Sequence, residues 1–362
     1  MERVDVAVIG AGIVGLSAAW RLARTGLDVV VLERFSLGHD RGSSHGPTRI
    51  FRFAYDDPVY VRLAQAALPL WRELEDASGR PLLRITGGFD VGDPMYLRAC
   101  AAALRSCGAT AEELTPGARR ERFPWFESDD QSIFSPNTGV IAANDALAAT
   151  AEVARAAGAR IDEEVQSARV DVRGADRIEI VAGKREVSAR RCVVAAGAWA
   201  ATVLEPLGIR LPIRVTREQV FYFRVPHEIV PFIHRDRIAR YGIPGDWGAP
   251  GVKVAEHGTG SQTEPDARSF DVEEPGFARV QGYVQTTLPT FDPSPIASET
   301  CLYSTTPDEG FVIDRVGPVV VASACSGHGF KFGPLVGELV ASIVTGGEPA
   351  VPIKPFALRR FV

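Results

Sequence analysis

The segment SGHGFKFGP places a lysine between two aromatic residues, directly after an apolar strand pattern. An ammonium group beside a core strand is costly to bury unless an anion pairs with it. Lys331, between Phe330 and Phe332, therefore predicts the binding of an anionic group. The alternative is a lysine whose alkyl stem covers the two rings while its amine stays in solvent.

A second group of cations lies in the segment GSSHGPTRIFRFAY, residues 42–55. Arg49 and Arg52 are three residues apart and would share one face of a helical turn. Isoleucine and phenylalanine interleave with them, and arginines among apolar groups generally have anionic partners. The small residues here and His45 suit a loop that follows a phosphate or a flat ring system. Without these neighbours, solvated surface arginines would be the simpler interpretation.

Two further segments contain residues that suit redox chemistry. In the strand pattern GVKVAEH, Lys253 lies between two valines, and His257 is on the same face four residues later. A buried cation beside a redox cofactor would favour electron transfer to dioxygen, on which negative charge develops. A solvent-facing strand lysine is the alternative. Cys301, in CLYSTTPDEGFVID, is a free cysteine, a residue that is most often a small core side chain.

The N-terminal residues predict a βαβ unit of the kind that binds dinucleotides. The apolar strand Val4–Ile9 is followed by Gly10, Gly12 and Gly15 in GAGIVG, a helix pattern, and a second strand that ends at Glu33. The glycines permit a tight turn, a close approach of the backbone to a pyrophosphate and close packing of helix on strand. The free N–H groups at the start of the helix favour a phosphate, and Glu33 is placed to accept from a ribose hydroxyl. The alternative is a glycine-rich turn in an unrelated α/β domain.

The position of the glycine motif, at residue 10, favours FAD over NAD. A second signal is RCVVAAGAWA, in which the strand Cys192–Ala195 opens into Ala196, Gly197 and Trp199. A strand that ends in small residues lets the backbone approach a cofactor closely. An ordinary strand-to-helix turn is the alternative.

These patterns predict a mixed α/β (α+β) protein with a Rossmann-like FAD-binding domain and an inserted antiparallel-sheet substrate domain. We assign residues 1–80, 145–212 and 300–362 to the FAD-binding domain. Residues 81–144 and 213–299, which are rich in strand patterns broken by proline and glycine, form the substrate-binding domain.

Composition excludes several classes of partner. The chain has 362 residues, 46% of them hydrophobic and 23% charged, and a formal net charge of -5, which gives no electrostatic reason to bind nucleic acid or an anionic membrane. No apolar run approaches the ~18 residues that span a bilayer. The five cysteines show no CxxC spacing, which argues against a disulfide framework or a metal site. The start MERVDVAVIG leads straight into a strand, so we expect no signal peptide and a cytoplasmic protein.

Taken together and in this order, GAGIVG, GSSHGPTRIFRFAY, GVKVAEH, CLYSTTPDEGFVID and SGHGFKF closely resemble the monomeric sarcosine oxidase family. That family includes N-methyl-tryptophan oxidase and lies among the D-amino-acid-oxidase-like flavoproteins. The resemblance covers the chain from end to end and is most specific in the C-terminal third. Its members work as monomers, so we expect a monomer.

The resemblance implies a role for each segment. The cysteine matching Cys301 bonds covalently to the flavin, the lysine matching Lys253 activates dioxygen, and the residues matching Arg52 and Lys331 hold the substrate carboxylate. The residues matching Tyr241, His257 and Tyr303 line the substrate cavity. The full set of expected cofactor contacts is Gly10, Gly12, Gly15, Glu33, Arg34, Ser43, Ser44, His45, Arg49, Val165, Ala196, Gly197, Trp199, Cys301, Gly327, His328, Gly329 and Lys331.

The expected reaction is oxidation of a secondary amine, in an N-methyl or cyclic amino acid, to an imine, with dioxygen reduced to hydrogen peroxide. Two alternatives stay open: a flavin dehydrogenase with another electron acceptor, and a tailoring enzyme that dehydrogenates a cyclic imino acid. The chain departs from the family pattern in GIPGDWGAPGV, which is about one residue longer and contains Asp246 and Trp247. We expect this segment to border the substrate cavity.

Overall fold

The computed structural model describes residues 1–361 as three β-sheets with helices packed against them. The strands are β1 (Glu2–Ile9), β2 (Val29–Leu32), β3 (Thr48–Phe51), β4 (Leu83–Ile85), β5 (Gly88–Gly92), β6 (Glu112–Leu114), β7 (Ser132–Ser135), β8 (Gly139–Ala142), β9 (Arg160–Asp162), β10 (Arg169–Gly174), β11 (Arg177–Ala182), β12 (Arg185–Val194), β13 (Arg214–Phe223), β14 (Phe232–Arg235), β15 (Ala239–Ile243), β16 (Val252–Glu256), β17 (Ser261–Gln262), β18 (Ala297–Thr305), β19 (Val312–Val316) and β20 (Val319–Ser323). The α-helices are α1 (Ile13–Ala23), α2 (Pro58–Ser78), α3 (Pro94–Ser106), α4 (Pro116–Arg122), α5 (Ala143–Ala156), α6 (Ala200–Leu204), α7 (Glu274–Thr287) and α8 (Gly333–Thr345).

The first sheet has a parallel centre in the order β9-β2-β1-β12-β20. Strands β10, β11 and β19 extend it in antiparallel pairs. All four residues of β2, VVVL, are buried, as expected for a strand covered on both faces. The carboxyl ends of β1, β2, β12 and β20 meet along one edge, which in open α/β sheets is the edge that binds ligands.

Two glycines fix the packing of α1 on this sheet. Gly10 has a φ of 99°, a conformation that residues with a Cβ rarely adopt. A Cβ on Gly15 would lie 1.9 Å from the carbonyl oxygen of Gly10, so the helix can approach the strand only with glycine there. The buried face of α1 then packs against α5 and α8.

The second sheet has nine strands in the order β17-β13-β16-β15-β14-β5-β7-β6, with β18 paired to β13. Its pairs are antiparallel except β14 with β5. An aromatic cluster packs on one face, with Phe89, Phe126, Phe221 and Phe232 fully buried. The small third sheet, β3-β8-β4, contains Arg49 and positions residues 42–55, which we call the arginine segment.

The predicted fold class is confirmed, with one parallel pair inside the sheet that we expected to be antiparallel. One local prediction is wrong: residues 48–51 form β3 rather than a helical turn, because they pair with β8. The domain boundaries stay a prediction. Strand β18 pairs with β13 along its length, although residues 300–305 were assigned to the FAD-binding domain. Val362, the last residue of that range, lies outside the described residues.

Among residues 1–361, the helices are all too short or too polar to cross a bilayer.

Candidate active site

A cavity of about 590 Å³ is lined by residues from all three sheets. It begins at the carboxyl ends of β1 and β2, runs past β3 and β18, and ends among β14, β15 and β16. A volume in this range is typical of a cofactor or ligand site.

The turn GAGIVG between β1 and α1, which we call the glycine turn, forms one end of this cavity. Gly10 and Gly12 line it, together with the first residues of α1, and no acidic side chain lies in the first helical turn. A Cβ on Gly12 would lie 3.1 Å from Ser44 Oγ, so any larger residue there would press on the serine side chain. Gly15 does not line the cavity; it packs against the carbonyl of Gly10. These features fit a pyrophosphate at a helix N-terminus.

Glu33 follows β2 and is 5% exposed. One carboxylate oxygen accepts from the backbone N–H of Ala11 at 2.7 Å and the other from that of Phe35 at 2.9 Å. Burial alone would raise its pKa, but the hydrogen bonds from His39 and these N–H groups outweigh burial and lower it. Glu33 therefore stays ionised, which suits the predicted contact with ribose hydroxyl groups.

Beside Glu33, the side chains of Arg34 and Trp199 share one hydrogen-bond acceptor, Asp266, which was not predicted from the sequence. Asp266 accepts from Arg34 Nη1 at 2.7 Å and from the indole N–H of Trp199 at 2.9 Å. Val165 donates its backbone N–H to the carbonyl of Glu33 at 3.0 Å. Ala196 and Gly197, at the end of β12, complete this part of the lining.

The loop before β3 follows the cavity wall. Ser44 Oγ accepts from the N–H of Ile13 at 3.2 Å, and Ser43 Oγ donates to the carbonyl of Leu302 at 2.5 Å. His45 Nε2 lies 3.1 Å from the carbonyl of Thr300, while its Nδ1 is buried with no partner among residues 1–361. Burial and the nearby Arg49 lower the pKa of His45 to about 4, so its ring is neutral and offers Nδ1 to a ligand.

Arg49 and Lys253 lie together in the middle of the cavity. Arg49 donates to the carbonyls of Thr48 and His45 at 2.9 and 2.5 Å, and Lys253 Nζ donates to the same Thr48 carbonyl at 2.9 Å. Burial first, and then the charge of Arg49, lower the pKa of Lys253 to about 7, against the opposing effect of Glu299. Lys253 is therefore poised between its charged and neutral forms at neutral pH.

Glu299 is a carboxylate of this site that sequence reasoning missed. A Cβ on Gly46 would lie 3.3 Å from Arg49 Nη1, 3.3 Å from Glu299 Oε2 and 3.8 Å from Lys253 Nζ, so the three charged groups meet around that glycine. Glu299 Oε2 also accepts from Tyr222 Oη at 3.1 Å.

Cys301 lies in the middle of β18, opposite Glu218 of β13, and lines the cavity. Burial raises the pKa of its thiol to about 11, although the charges of Arg49 and Lys253 act in the opposite direction. The thiol is thus neutral in the protein alone and is flanked by two groups that favour its thiolate form.

Lys331 lies in a short 3₁₀ helix, Phe330–Phe332, that precedes α8. The indole N–H of Trp71 donates to its backbone carbonyl at 2.7 Å, which fixes the turn. Its Nζ donates to Tyr55 Oη at 2.9 Å and to the carbonyl of His328 at 2.7 Å. Burial, together with the charge of Arg52, holds the pKa of Lys331 well below its usual value. Both partners are neutral, so an anionic ligand would restore the charged form.

Arg52 is buried, and the protein uses only one of its terminal nitrogens. Nη1 donates to the carbonyl of Ala54, to Asp90 Oδ1 at 3.1 Å and to Tyr96 Oη at 3.2 Å. Within residues 1–361, Nε and Nη2 have no acceptor. Asp90 is 2% exposed and was missed from the sequence, because it is part of a strand pattern that resembles a core segment.

An aromatic wall closes the cavity. The rings of His257 and Tyr303 lie 5.3 Å apart, and Tyr241 is on the neighbouring strand β15. A Cβ on Gly327 would lie 2.3 Å from the Tyr303 ring, so only glycine fits this turn. Burial raises the pKa of both tyrosines, which remain phenols. Burial lowers the pKa of His257 to about 4, so it is neutral at pH 7.

The segment GIPGDWGAPGV borders the cavity through Ile243, as expected, but its Asp246 and Trp247 do not line it. Asp246 pairs with Arg84 of β4, whose guanidinium also lies over the Trp247 ring, and these contacts hold the loop away from the cavity.

The structure thus brings every predicted site residue except Gly15 to the lining of one cavity; what each does there stays a prediction. It adds Tyr96, Arg235, Asp266 and Glu299 to that lining, with Asp90 directly behind Arg52. Arg235 belongs to the run HRDR, which in the sequence is typical of a solvated surface rather than of a strand.

Comparison with known proteins agrees with this geometry. The monomeric sarcosine oxidase of Streptomyces avermitilis is 33% identical over 377 residues, with 98% of this chain and 97% of that protein covered. The N-methyl-L-tryptophan oxidase of Salmonella heidelberg is 27% identical and covers 99% of both chains. The solved structure of NikD, described as an unusual amino acid oxidase essential for nikkomycin biosynthesis, matches with a TM-score of 0.86 and 28% identity over 99% of this chain and 98% of NikD.

The family model described as DAO, FAD dependent oxidoreductase, matches residues 5–343. These residues include the glycine turn, the arginine segment, Lys253, Cys301 and Lys331. The chain belongs to this family of FAD-dependent oxidoreductases, and its relatives include sarcosine oxidases.

Proposed function

We propose that this protein oxidises the secondary amine of an N-methyl or cyclic amino acid to an imine, with dioxygen as electron acceptor and hydrogen peroxide as product. One observation carries the proposal. Arg52 and Lys331 line the same cavity as Lys253 and Cys301, and their N–H donors there are either unused or bonded to neutral groups.

Arg52 and Lys331 would bind the substrate carboxylate. Nε and Nη2 of Arg52 form the edge that can grip a carboxylate in bidentate fashion, and Lys331 gains a charged partner in place of Tyr55 Oη. A fixed carboxylate sets which C–H bond points along the cavity, and correct orientation supplies several kcal/mol of a reaction barrier.

FAD, when bound, would accept the two electrons and the hydrogen that leave the carbon next to the amine. The chain itself offers no strong base there, because His257 is neutral with a pKa of about 4 and the nearby tyrosines are phenols. This environment favours a substrate that binds with its amine neutral.

Lys253 would hold positive charge where dioxygen is reduced. Its pKa of about 7 leaves a large share of the amine protonated at neutral pH, and its bond to the Thr48 carbonyl fixes its position. Preorganised charge of this kind stabilises a developing anion without reorganisation.

We further propose that FAD is bound covalently through Cys301. The position of its thiol in the cavity and the two cations that favour the thiolate support this assignment. A monomeric state agrees with the name of the Streptomyces avermitilis relative, and a cytoplasmic location stays a prediction.

The Lys253→Met variant tests the oxidase assignment. We expect reoxidation by air to slow by at least about a hundredfold, as on removal of other preorganised charge donors. Anaerobic reduction by substrate should change little. Stopped-flow absorbance at the flavin bands measures both half-reactions, with Lys184→Met as the control at an exposed lysine. An equal loss in both half-reactions would contradict the assigned role and would favour a dehydrogenase with another acceptor.

The likeness to NikD, an amino acid oxidase essential for nikkomycin biosynthesis, supports an oxidation in a biosynthetic pathway as a second candidate, for which we propose a cyclic imino acid as substrate. The two candidates differ in stoichiometry, because a substrate that becomes aromatic gives up more than one pair of electrons. The measurement is peroxide released per mole of proline, pipecolate or N-methyl amino acid consumed. A ratio of one supports the simple oxidase, and a higher ratio with an aromatic product supports the second candidate.

A further inference from the structure

One cation of the cavity, Arg235, packs against an aromatic ring but has no role in the proposed reaction. On β14, Phe232 and His234 are buried on the core side, so the alternating Ile233 and Arg235 point to the other face and line the cavity. The guanidinium of Arg235 lies 4.5 Å from the centre of the Tyr96 ring. Its Nε is buried without a hydrogen-bond partner, and no acceptor or carboxylate pairs with its side chain in residues 1–361.

The neighbouring arginines, in contrast, form ion pairs with carboxylates. Arg240, which faces the same cavity from β15, pairs with Asp236 at 3.0 Å and with Glu256 at 3.6 Å. Arg52 pairs with Asp90 at 3.1 Å. The carboxylate of Asp90, whose pKa burial raises and the charge of Arg235 lowers, is already bonded to Arg52 and Tyr96.

The environment of His257 agrees with this imbalance. Burial lowers the pKa of His257, and the charges of Arg235 and Arg52 lower it further. A single substrate carboxylate bound by Arg52 and Lys331 would leave Arg235 without an anion. Arginines in apolar or partly desolvated sites generally have one.

We propose that the substrate has a second carboxylate, which Arg235 binds while Arg52 and Lys331 hold the first. The substrate class is then a secondary-amine dicarboxylate, such as an N-methylated acidic amino acid. This inference rests on the proposed function for the role of the first carboxylate, and it assigns Arg235 as the residue that determines specificity.

Binding without turnover tests the inference directly. Succinate and butyrate have four carbons each and differ in the second carboxylate, and both can be titrated into the FAD-loaded enzyme by flavin absorbance or thermal shift. We expect succinate to bind about tenfold to a hundredfold more tightly than butyrate, the range for one charge-assisted hydrogen-bonded pair. Arg235→Gln should remove this preference and leave butyrate binding within about twofold of the wild type.

Two further variants separate charge from fold. Arg235→Lys keeps the charge and should keep part of the preference for succinate. Arg237→Gln makes the same change in net charge at an exposed position outside the cavity and should bind both acids like the wild type. Equal affinities for both acids in the wild type, or an equal loss of both in Arg235→Gln, would overturn the inference.

The second arm uses substrates. N-methyl-L-aspartate and N-methyl-L-leucine have side chains of nearly equal shape, and anaerobic bleaching of the flavin measures their oxidation. We expect the aspartate derivative to reduce the enzyme at least about tenfold more efficiently in kcat/KM, and Arg235→Gln to reverse this order. If neither these derivatives nor proline and pipecolate bleach the flavin while succinate still binds through Arg235, the proposed function is wrong and the dicarboxylate site is retained.

Discussion

At the scale of the residue, the balance of charge around Lys253 determines how the site responds to pH. Burial and Arg49 lower its pKa, Glu299 raises it, and the result is about 7. Tyr222 holds Glu299 in place through a hydrogen bond of 3.1 Å. A buried lysine shifts its pKa readily, whereas an arginine in the same position would stay charged.

The Glu299→Gln variant tests this balance. Lys253 is protonated below its pKa, so reoxidation of the reduced enzyme by dioxygen should slow as the pH rises through that value. Removal of the Glu299 charge lowers the pKa, so the decline should move to lower pH. Stopped-flow reoxidation rates between pH 5 and 10 measure the shift.

Two controls make this prediction specific. Lys253→Arg keeps its charge across the range and should flatten the profile. Glu256→Gln changes a buried carboxylate that pairs with Arg279 and lies outside the cavity, so it should leave the midpoint in place. Identical midpoints in Glu299→Gln and the wild type would show that Glu299 does not tune Lys253.

At the scale of the element, β18 shows how one strand supplies several residues of a site. Glu299, Cys301 and Tyr303 alternate along it and line the cavity, while the residues between them are buried. The period of two in a strand produces this arrangement. Helix α1 acts differently, since it presents its N-terminus rather than its side chains.

The Gly15→Ala variant tests the helix. Its Cβ would lie 1.9 Å from the Gly10 oxygen, so α1 must move away from β1 and from the phosphate position. We expect the free energy of unfolding to fall by about 1–3 kcal/mol, as for other overpacked sites, and bound flavin per protein to decrease. Urea denaturation and the ratio of flavin to protein absorbance measure these effects. Gly282→Ala, in α7 with open space around it, should be neutral or stabilising; equal losses in both variants would refute the packing argument.

The elements differ in how far the sequence predicts them. The βαβ unit follows from apolar periodicity and glycine positions, and the structure has β1, α1 and β2 where they were expected. Glu299 and Arg235 could not be predicted in this way. Each lies on a strand whose pairing partners are distant in sequence, and only those partners decide which face is buried. The position of Asp246 and Trp247 outside the cavity could not be predicted for the same reason, because their partner Arg84 is remote in sequence.

At the scale of the whole molecule, all three sheets contribute residues to the wall of the cavity. The glycine turn belongs to the first sheet, Arg49 to the third, and Cys301 to the second. A group bonded to Cys301 and resting on the glycine turn would therefore contact all three. For this reason the proposed attachment of the flavin would depend on the folded chain as well as on one thiol.

The Cys301→Ser variant tests the attachment. After denaturation in acid and centrifugation, the yellow colour of the wild type should stay with the precipitated protein, and that of the variant should remain in the supernatant. Absorbance of both fractions measures the outcome. Cys325→Ser, at another cysteine of the lining, should behave like the wild type. Free flavin in the wild-type supernatant would refute a covalent bond.

The burial of Lys253 and Lys331 has a practical consequence, because the chain has four lysines in all. The other two, Lys184 and Lys354, are exposed. Because Pro355 follows Lys354, a lysine-specific protease acting on the native protein would cut readily only after Lys184, and the fragments it releases would be few and of known size. Cleavage after position 253 or 331 would appear only when the interior opens, so the digestion pattern itself would report how firmly a bound ligand keeps the molecule closed.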